Sequence, residues 1–188
     1  MFDFKIHVQD FFSGVAKGDV EIYNEFSLQH EFGSYLRSTL GPTLKTQFER
    51  PVSFFGLTRS AFVKKEIDVS VFTPDRSRKF AFELKYPRNG QYPEQMFKAC
   101  QDICFVEQLC HSGFITGFFV MVADDPLFYE GKTVTGLYQH FRGTVPVHGV
   151  IQKPTGKKDD TVEVKGNYRI IWNTVNANLK YALVEVGR

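Results

Sequence analysis

Two segments of the chain alternate apolar and polar residues with a period of two, and each predicts a β-strand with one buried face. They span residues 65–72 and 80–86. Residues 73–78, which lie between them, are rich in turn formers, so the pair predicts a β-hairpin. This hairpin is the most informative local feature of the sequence.

The predicted hairpin gathers charged side chains on one face. If it folds symmetrically about its loop, Asp68 lies opposite Glu83, and Lys85 points to the same side as Glu83. Two opposed carboxylates repel each other unless a positive charge lies between them. A divalent cation meets this need, because Mg²⁺ favours one or two carboxylates together with phosphate oxygens of a substrate. The alternative is a structural ion pair between Lys85 and Glu66, which leaves the two opposed carboxylates uncompensated.

Helical spacing of apolar residues predicts one helix before the hairpin and one after it. The first has Ser27 as its N-cap and ends at Gly41-Pro42. The second has Pro93 in its first turn and runs to about His111, before Gly113. The hairpin is therefore expected to lie between two helices in the chain.

The remaining segments predict further strands and connections. Residues 43–55 are expected to form a strand that is interrupted or bent near Pro51, and residues 115–123 form a continuous apolar run typical of a strand buried on both faces. The other expectations are no clear pattern over residues 1–26, short helical pieces within 126–142, an exposed loop or hairpin tip over 153–166, and late strands near 167–174 and 180–186.

The order of these elements predicts an α/β fold. A strand that leaves the second helix returns to the sheet most simply by a right-handed crossover. The expected architecture is a three-layer sandwich, with a central mixed β-sheet flanked by helices. We expect a single domain over residues 1–188, with a core at about 27–123 and C-terminal strand additions over 124–188.

Composition is that of an ordinary soluble globular protein, with 43% hydrophobic and 23% charged residues. No apolar run has the length of a membrane span, and no signal peptide is evident. Cys100, Cys104 and Cys110 lie on one predicted helix, which favours buried thiols over a disulfide framework or a zinc site and predicts a reducing, cytoplasmic location. The net charge of +2 neither requires nor excludes a nucleic-acid partner.

The spacing of the charged residues resembles a known motif. Asp68, fourteen intervening residues and then Glu83-Leu84-Lys85 resemble the PD-(D/E)XK nuclease superfamily, and the αβββαβ order over about 27–123 is similar to its restriction-endonuclease-like core. One departure is that Ile67, not proline, precedes Asp68. The resemblance implies a Mg²⁺- or Mn²⁺-dependent nuclease that hydrolyses DNA phosphodiester bonds with an activated water.

The same resemblance assigns roles to the motif residues. Asp68, Glu83 and the backbone carbonyl of Leu84 would bind the metal ion, which polarises the scissile phosphate and lowers the pKa of a bound water. Lys85 would orient that water or stabilise the negative charge of the transition state. These roles agree with the chemistry expected from the residue types alone.

The two helices supply further candidates. Glu31 is the candidate to complete the metal shell, as a glutamate on this helix does in relatives, with a solvated rim residue as the equal alternative. Glu25 is a weaker choice because it is expected to precede the helix, and Gln29 lies in the apolar arc, where its amide requires a partner. On the second helix, Gln101 could point at the site, and Glu107 is expected to form a structural salt bridge.

Two other functions compete with the nuclease. One is a catalytically inactive module on the same scaffold that binds nucleic acid or another protein, and the other is an unrelated α/β protein with a chance motif. The presence of all three motif residues favours the active enzyme over a degenerate copy. The expected partner is DNA, no membrane is expected, and a homodimer is left open.

Overall fold

The computed structural model describes residues 3–88, 90–156 and 160–187, and within these ranges the chain forms helices and strands in mixed order. The α-helices are α1 (Phe4–Lys17), α2 (Glu25–Thr39), α3 (Tyr92–His111) and α4 (Tyr138–Phe141). The strands are β1 (Lys45–Pro51), β2 (Glu66–Phe72), β3 (Lys79–Lys85), β4 (Thr116–Ala123), β5 (Val147–Gln152), β6 (Thr161–Tyr168), β7 (Trp172–Thr174) and β8 (Lys180–Gly187).

Six of these strands form one mixed sheet in the order β1-β2-β3-β4-β8-β7. β3 and β4 are parallel, and the other neighbouring pairs are antiparallel. Parallel neighbours need a crossover, and α3 supplies it between β3 and β4. β5 and β6 pair separately as a two-stranded sheet. The prediction of an α/β fold with a mixed sheet and helices is confirmed.

The predicted hairpin forms in the predicted register. Its ladder pairs run from Val69 opposite Phe82 to Phe72 opposite Lys79, so β2 and β3 fold symmetrically about their loop. A slip of one residue would have turned every side chain to the other face. The alternation of the two strands therefore sets which charged groups meet.

The two faces of the sheet pack against different helices. One core cluster joins α1 and α2 to the sheet residues Val69, Val71, Phe82, Leu84 and Phe118. A second joins α3 to Phe119, Met121 and Ala123 of β4 and to the β5–β6 sheet, and a third joins α3 to the 3₁₀ segment after β1. The site residues therefore lie in a sheet with helices on both sides.

Helix α1 lies in the N-terminal segment for which no pattern was expected. Its apolar side chains follow helical spacing and are buried: Phe4, Val8, Phe11, Phe12 and Val15. The side chain of Asp3 caps its first turn by accepting a hydrogen bond from the Lys5 amide at 3.1 Å, and Gly18 ends it in the left-handed conformation, with φ of 81°. The signals for this helix are thus present in the sequence.

The structure also corrects expectations near the edges of the fold. β1 ends at Pro51, where an interruption or bend was expected, and does not resume up to residue 55 because Val52–Phe55 form a 3₁₀ turn. β6 begins at Thr161 and so occupies the last part of the segment 153–166 that was expected to be a loop or hairpin tip, since β5 and β6 pair with alternating buried residues. Residues 157–159 of that expected tip lie outside the described residues.

Three other sequence features have clear outcomes. Cys100, Cys104 and Cys110 are free and buried on α3, as predicted. Among the described residues, Glu107 has no salt-bridge partner; instead, it accepts hydrogen bonds from the backbone amides of Lys165 and Gly166 and from the hydroxyl of Tyr168. Among the described residues, no helix is both long and apolar enough to cross a membrane.

Candidate functional site

Asp68 and Glu83 meet where the regular pairing of β2 and β3 stops. Beyond the Val69–Phe82 pair, each carboxylate bonds to the backbone of the other strand: Glu83 Oε1 accepts from the Asp68 amide at 3.2 Å, and Asp68 Oδ2 accepts from the Leu84 amide at 2.7 Å. The side chains replace ladder hydrogen bonds that the diverging strands leave unmade. Both acids are therefore fixed in position by the hairpin itself.

A lysine from outside the hairpin lies between the acids. The ammonium of Lys64 donates a hydrogen bond to Glu83 Oε2 and another to Asp102 Oδ1 at 2.9 Å, and it is 3.9 Å from Asp68 Oδ1. Lys64 lies just before β2, and Asp102 lies on α3. Glu83 is fully buried and Asp102 nearly so, which makes this ion-pair network largely inaccessible to water. The convergence on one ammonium shows that the carboxylates of Asp68 and Glu83 point to a common space.

Lys85 belongs to the same network. Its ammonium is 3.5 Å from Asp102 Oδ2 and 3.4 Å from Glu25 Oε2, and its side chain is only 13% exposed. Glu25 Oε2 also accepts the Tyr86 amide at 3.0 Å, so the first residue of α2 is tied to the end of β3. Asp102 thus holds both lysines, one with each carboxylate oxygen.

A cleft of about 240 Å³ opens beside Asp68. Its lining residues are Glu25, Phe26, Gln29, Glu49, Asp68 and Leu84. The amide of Gln29 donates to Glu49 Oε1 at 2.5 Å and to the backbone carbonyl of Asp68 at 2.9 Å. Glu49 has a φ of 49°, an unfavourable backbone conformation for this residue type that is held at the site. The unfavourable backbone conformation of Glu49 and the hydrogen-bonded amide of Gln29 show that the residues lining this cleft are held in a defined arrangement.

The electrostatics of the cluster follow from burial and an excess of acids. Burial raises the pKa of Asp68 to about 7, although Lys64 and the Leu84 amide oppose the shift. Burial and the Asp68 carboxylate raise the pKa of Glu83 well above its usual range. Burial alone would lower the pKa of Lys64, but the surrounding carboxylates raise it above its ordinary value. Ionisation of these acids is therefore unfavourable, and additional positive charge would favour their ionised forms.

The donor chemistry fits a hard divalent cation. Asp68, Glu83 and the Leu84 backbone carbonyl are oxygen donors of the kind that Mg²⁺ takes. Among the described residues, the buried Asp102 Oδ2 has the Lys85 ammonium at 3.5 Å as its ion-pair partner but accepts no hydrogen bond. Against a dedicated protein cage, the described residues contain no group of three or more histidine, cysteine or acidic side chains arranged to hold a metal ion. This combination fits an ion that relies on water and substrate for part of its shell.

The helix candidates fall at different distances from the cluster. Glu25 is the first residue of α2, not a residue before it, and contacts Lys85. Gln29 lies one turn later on the same face and contacts Asp68. Glu31 lies two residues after Gln29, about 200° further round the helix. Among the described residues its carboxylate bonds to His30, at 3.0 Å. The structure therefore brings Glu25 and Gln29 to the site and leaves Glu31 outside it.

The alternative ion pair within the hairpin does not form. Lys85 contacts Asp102 and Glu25, while Glu66 is exposed and lies opposite Pro51 of β1. Gln101 is half-buried on α3, one residue before Asp102. Asp102, next to the expected Gln101, thus supplies the contact from α3 to the site.

Sequence reasoning missed Lys64 and Asp102. Lys64 stands in a pair of lysines that reads as a solvated cluster, and nothing local distinguishes it from its exposed neighbour Lys65. Asp102 offered a usable signal, because it is an acid at the start of residues 102–107, all of which are buried on α3. A buried acid needs a partner, so its position predicts a cation nearby without identifying which one.

Comparison with known proteins adds no family to this description: no protein-family model matches the chain, and no curated protein or solved structure is significantly similar to it.

Proposed function

We propose that this protein is a metal-dependent nuclease that hydrolyses DNA phosphodiester bonds with an activated water. The observation that carries the proposal is the hairpin register, which sets Asp68 against Glu83 with Lys85 two residues further along β3. The proposal includes the finer fold assignment, a restriction-endonuclease-like three-layer sandwich built on the αβββαβ order from α2 to β4. The mixed sheet with helices on both sides supports that assignment.

In this proposal Asp68, Glu83 and the Leu84 carbonyl would hold Mg²⁺ or Mn²⁺. When bound, the metal ion polarises the scissile phosphate and lowers the pKa of a water. The protein's own part is to fix the two carboxylates, which the backbone amides of Leu84 and Asp68 do. Lys64 already supplies positive charge to the same carboxylates, so metal binding requires its ammonium to move or to share them.

Lys85 would act on the substrate. Asp102 and Glu25 hold its ammonium near the end of β3 on the side of the acid cluster. An ammonium placed there can orient the attacking water or stabilise negative charge that develops on the phosphate. Asp102 is then a positioning residue, since it contacts Lys85 and Lys64.

A second candidate function is a catalytically inactive module that binds nucleic acid or another protein. The observation that favours it is the hydrogen bonding of Lys64 to Glu83 and Asp102, because an ammonium in that place satisfies the acids without a metal ion. A buried ion-pair network can equally serve to hold the hairpin, the Lys64 segment and α3 together. The two functions differ in whether the protein cuts DNA.

A cleavage assay separates them. The protein is incubated with plasmid, linear duplex and single-stranded DNA in Mg²⁺ or Mn²⁺, with a chelator as the control condition. We expect cleavage that needs the metal ion and is lost in Asp68→Asn but retained in Glu66→Gln, which changes an exposed acid on the same strand. Failure of the folded wild-type protein to cut any of these substrates in either metal would exclude the nuclease and leave the inactive module.

A further inference from the structure

Two arginines from different parts of the fold stack on one phenylalanine. The guanidinium carbons of Arg50 and Arg76 lie 4.3 Å and 4.1 Å from the centre of the Phe54 ring. Arg50 comes from β1, Phe54 from the 3₁₀ turn that follows it, and Arg76 from the loop between β2 and β3. Such contacts favour arginine over lysine because the planar guanidinium can stack on a ring.

Both guanidinium groups are held in place. Arg50 Nε donates to Gln47 Oε1 at 2.5 Å, and Arg76 Nη1 donates to the backbone carbonyl of Phe54 at 2.8 Å. Arg76 has a φ of 60° in a loop closed by hydrogen bonds to Asp75. A non-glycine residue persists in this conformation only where its surroundings fix it. The arginines are therefore ordered before any partner arrives.

Within the described ranges, these positive charges have no acidic partner. In the part of the chain that the structure describes, neither Arg50 nor Arg76 forms an ion pair with a carboxylate, whereas Lys64 and Lys85 each meet acids. A guanidinium has five N–H donors, and each of these two uses one of them in the hydrogen bonds above. The stack thus presents charge and hydrogen-bond donors suited to an anion.

The stack lies at the edge of the sheet. Arg50 belongs to β1, an edge strand, and the Phe54 ring contacts the rings of Phe55 and Phe72. Arg76 is exposed at the hairpin loop. Two positive charges against one ring at this edge suit phosphates that follow one another along a chain.

We propose that the Arg50–Phe54–Arg76 stack binds phosphates of a nucleic-acid backbone. The inference rests on the proposed nuclease function and deepens it, because it names a surface at the edge of the sheet that would hold the substrate strand. Since guanidinium groups already lie against the Phe54 ring, the contact is with phosphates and not by stacking of bases. Binding through it is therefore independent of base sequence.

The test measures binding without cleavage. Fluorescence anisotropy of a labelled duplex of about 20 base pairs, in chelator and at several salt concentrations, is compared for wild type, Arg50→Gln, Arg76→Gln and the double variant. We expect the double variant to bind about tenfold more weakly at low salt and to lower the slope of log affinity against log salt by about 1.8, or about 0.9 per lost phosphate contact. Arg37→Gln is the matched control, because the guanidinium carbon of Arg37 lies 5.3 Å from the centre of a different ring, that of Phe48.

Several outcomes would overturn the proposal. Unchanged affinity and slope in the folded double variant would do so, as would loss of binding to phosphatidylserine vesicles with no loss of binding to DNA. If the double variant does not fold, Arg50→Lys and Arg76→Lys keep the charge and must retain most of the slope, while each glutamine variant lowers it. The two proposals fail separately: a wild type that binds DNA through the stack but never cuts it refutes only the nuclease, and cleavage and binding unaffected by the arginine changes refute only the stack.

Discussion

At the scale of single residues, Lys64 supplies the positive charge that compensates the buried acids when no metal ion is bound. Glu83 and Asp102 are buried, and unpaired carboxylates there would be costly. The Lys64 ammonium compensates them from the segment before β2. It thus stands where positive charge is needed, which makes it both a stabilising group and a competitor of any divalent cation.

Replacing Lys64 separates these two roles. We expect Lys64→Met to lower the melting temperature in chelator, because breaking a buried pair from one side typically costs about 3–5 kcal/mol. We also expect Mn²⁺ to raise the melting temperature of this variant more than that of wild type, since the freed carboxylates gain a new counter-ion. Thermal unfolding with and without Mn²⁺ measures both effects, with Lys65→Met as the exposed control. An unchanged melting temperature in chelator, or an equal response to Mn²⁺, contradicts this view of Lys64.

Asp68 is the acid whose loss should abolish metal binding with the least damage to the fold. Asp68→Asn keeps an oxygen that can accept the Leu84 amide but removes the charge. Titration calorimetry should show weak Mn²⁺ binding to wild type and none to the variant, with Glu66→Gln binding as wild type does. Equal Mn²⁺ affinity in wild type and Asp68→Asn would argue against a metal site at this position.

The raised pKa of Asp68 predicts a pH dependence of stability. The folded protein holds this proton to a pH of about 7, whereas the unfolded chain releases it near its ordinary value of about 3.9. Between these values the folded state binds more protons than the unfolded state, so the free energy of unfolding falls as pH rises and levels off above about 7. Denaturant unfolding without metal should show this fall in wild type and a smaller one in Asp68→Asn. A stability that does not decrease over this range in wild type would contradict the shift.

The residues of the site differ in how far the sequence predicts them. Asp68, Glu83 and Lys85 lie on one hairpin, so strand alternation and a symmetric loop suffice to bring them together. Lys64 and Asp102 join them only because α3 packs against the sheet and the segment before β2 brings Lys64 into contact with Asp102. That packing is tertiary, and no periodicity within either segment encodes which buried acid meets which lysine.

At the scale of elements, α3 links the main sheet to the β5–β6 sheet through Glu107. Its carboxylate accepts the amides of Lys165 and Gly166 and the hydroxyl of Tyr168, on a strand pair that has no ladder to the six-stranded sheet. The acid therefore satisfies part-buried backbone donors of β6.

We predict that Glu107→Ala lowers the free energy of unfolding by about 3 kcal/mol, because several donors lose their acceptor at once. Tyr168→Phe removes a single hydroxyl from the same cluster and should cost about 1 kcal/mol. Denaturant unfolding gives both values. Equal losses in the two variants would show that Glu107 does not hold the backbone of β6.

The elements themselves are predictable where their periodicity is clean. The hairpin, α2, α3 and β4 follow from alternation, helical spacing and a continuous apolar run. α1 was not predicted, although its apolar residues have the same helical spacing and the sequence therefore contains the signal for this helix. β1 ends early because Pro51 is followed by a 3₁₀ turn, and a proline within a strand pattern does not reveal what comes next.

At the scale of the whole molecule, the sheet carries the proposed chemistry and the helices supply its supports. α2 contributes Glu25 and Gln29 from one side, and α3 contributes Asp102 from the other. The β1 edge adds the Arg50–Phe54–Arg76 stack. In this account the substrate backbone lies along that edge, and the scissile phosphate reaches the acids at the end of the hairpin ladder.

The measurement that tests the central claim most directly is the cleavage rate of Lys85→Ala in saturating Mn²⁺, with its melting temperature determined on the same sample. We predict a rate about 10²–10³-fold below wild type, since one electrostatic contact to the transition state is lost, in a protein that remains folded at the assay temperature. Lys65→Ala, an exposed neighbour of the cluster, should cut as wild type does. A folded Lys85→Ala protein that cuts DNA at the wild-type rate, or a rate that falls only with the unfolded fraction, would contradict the account.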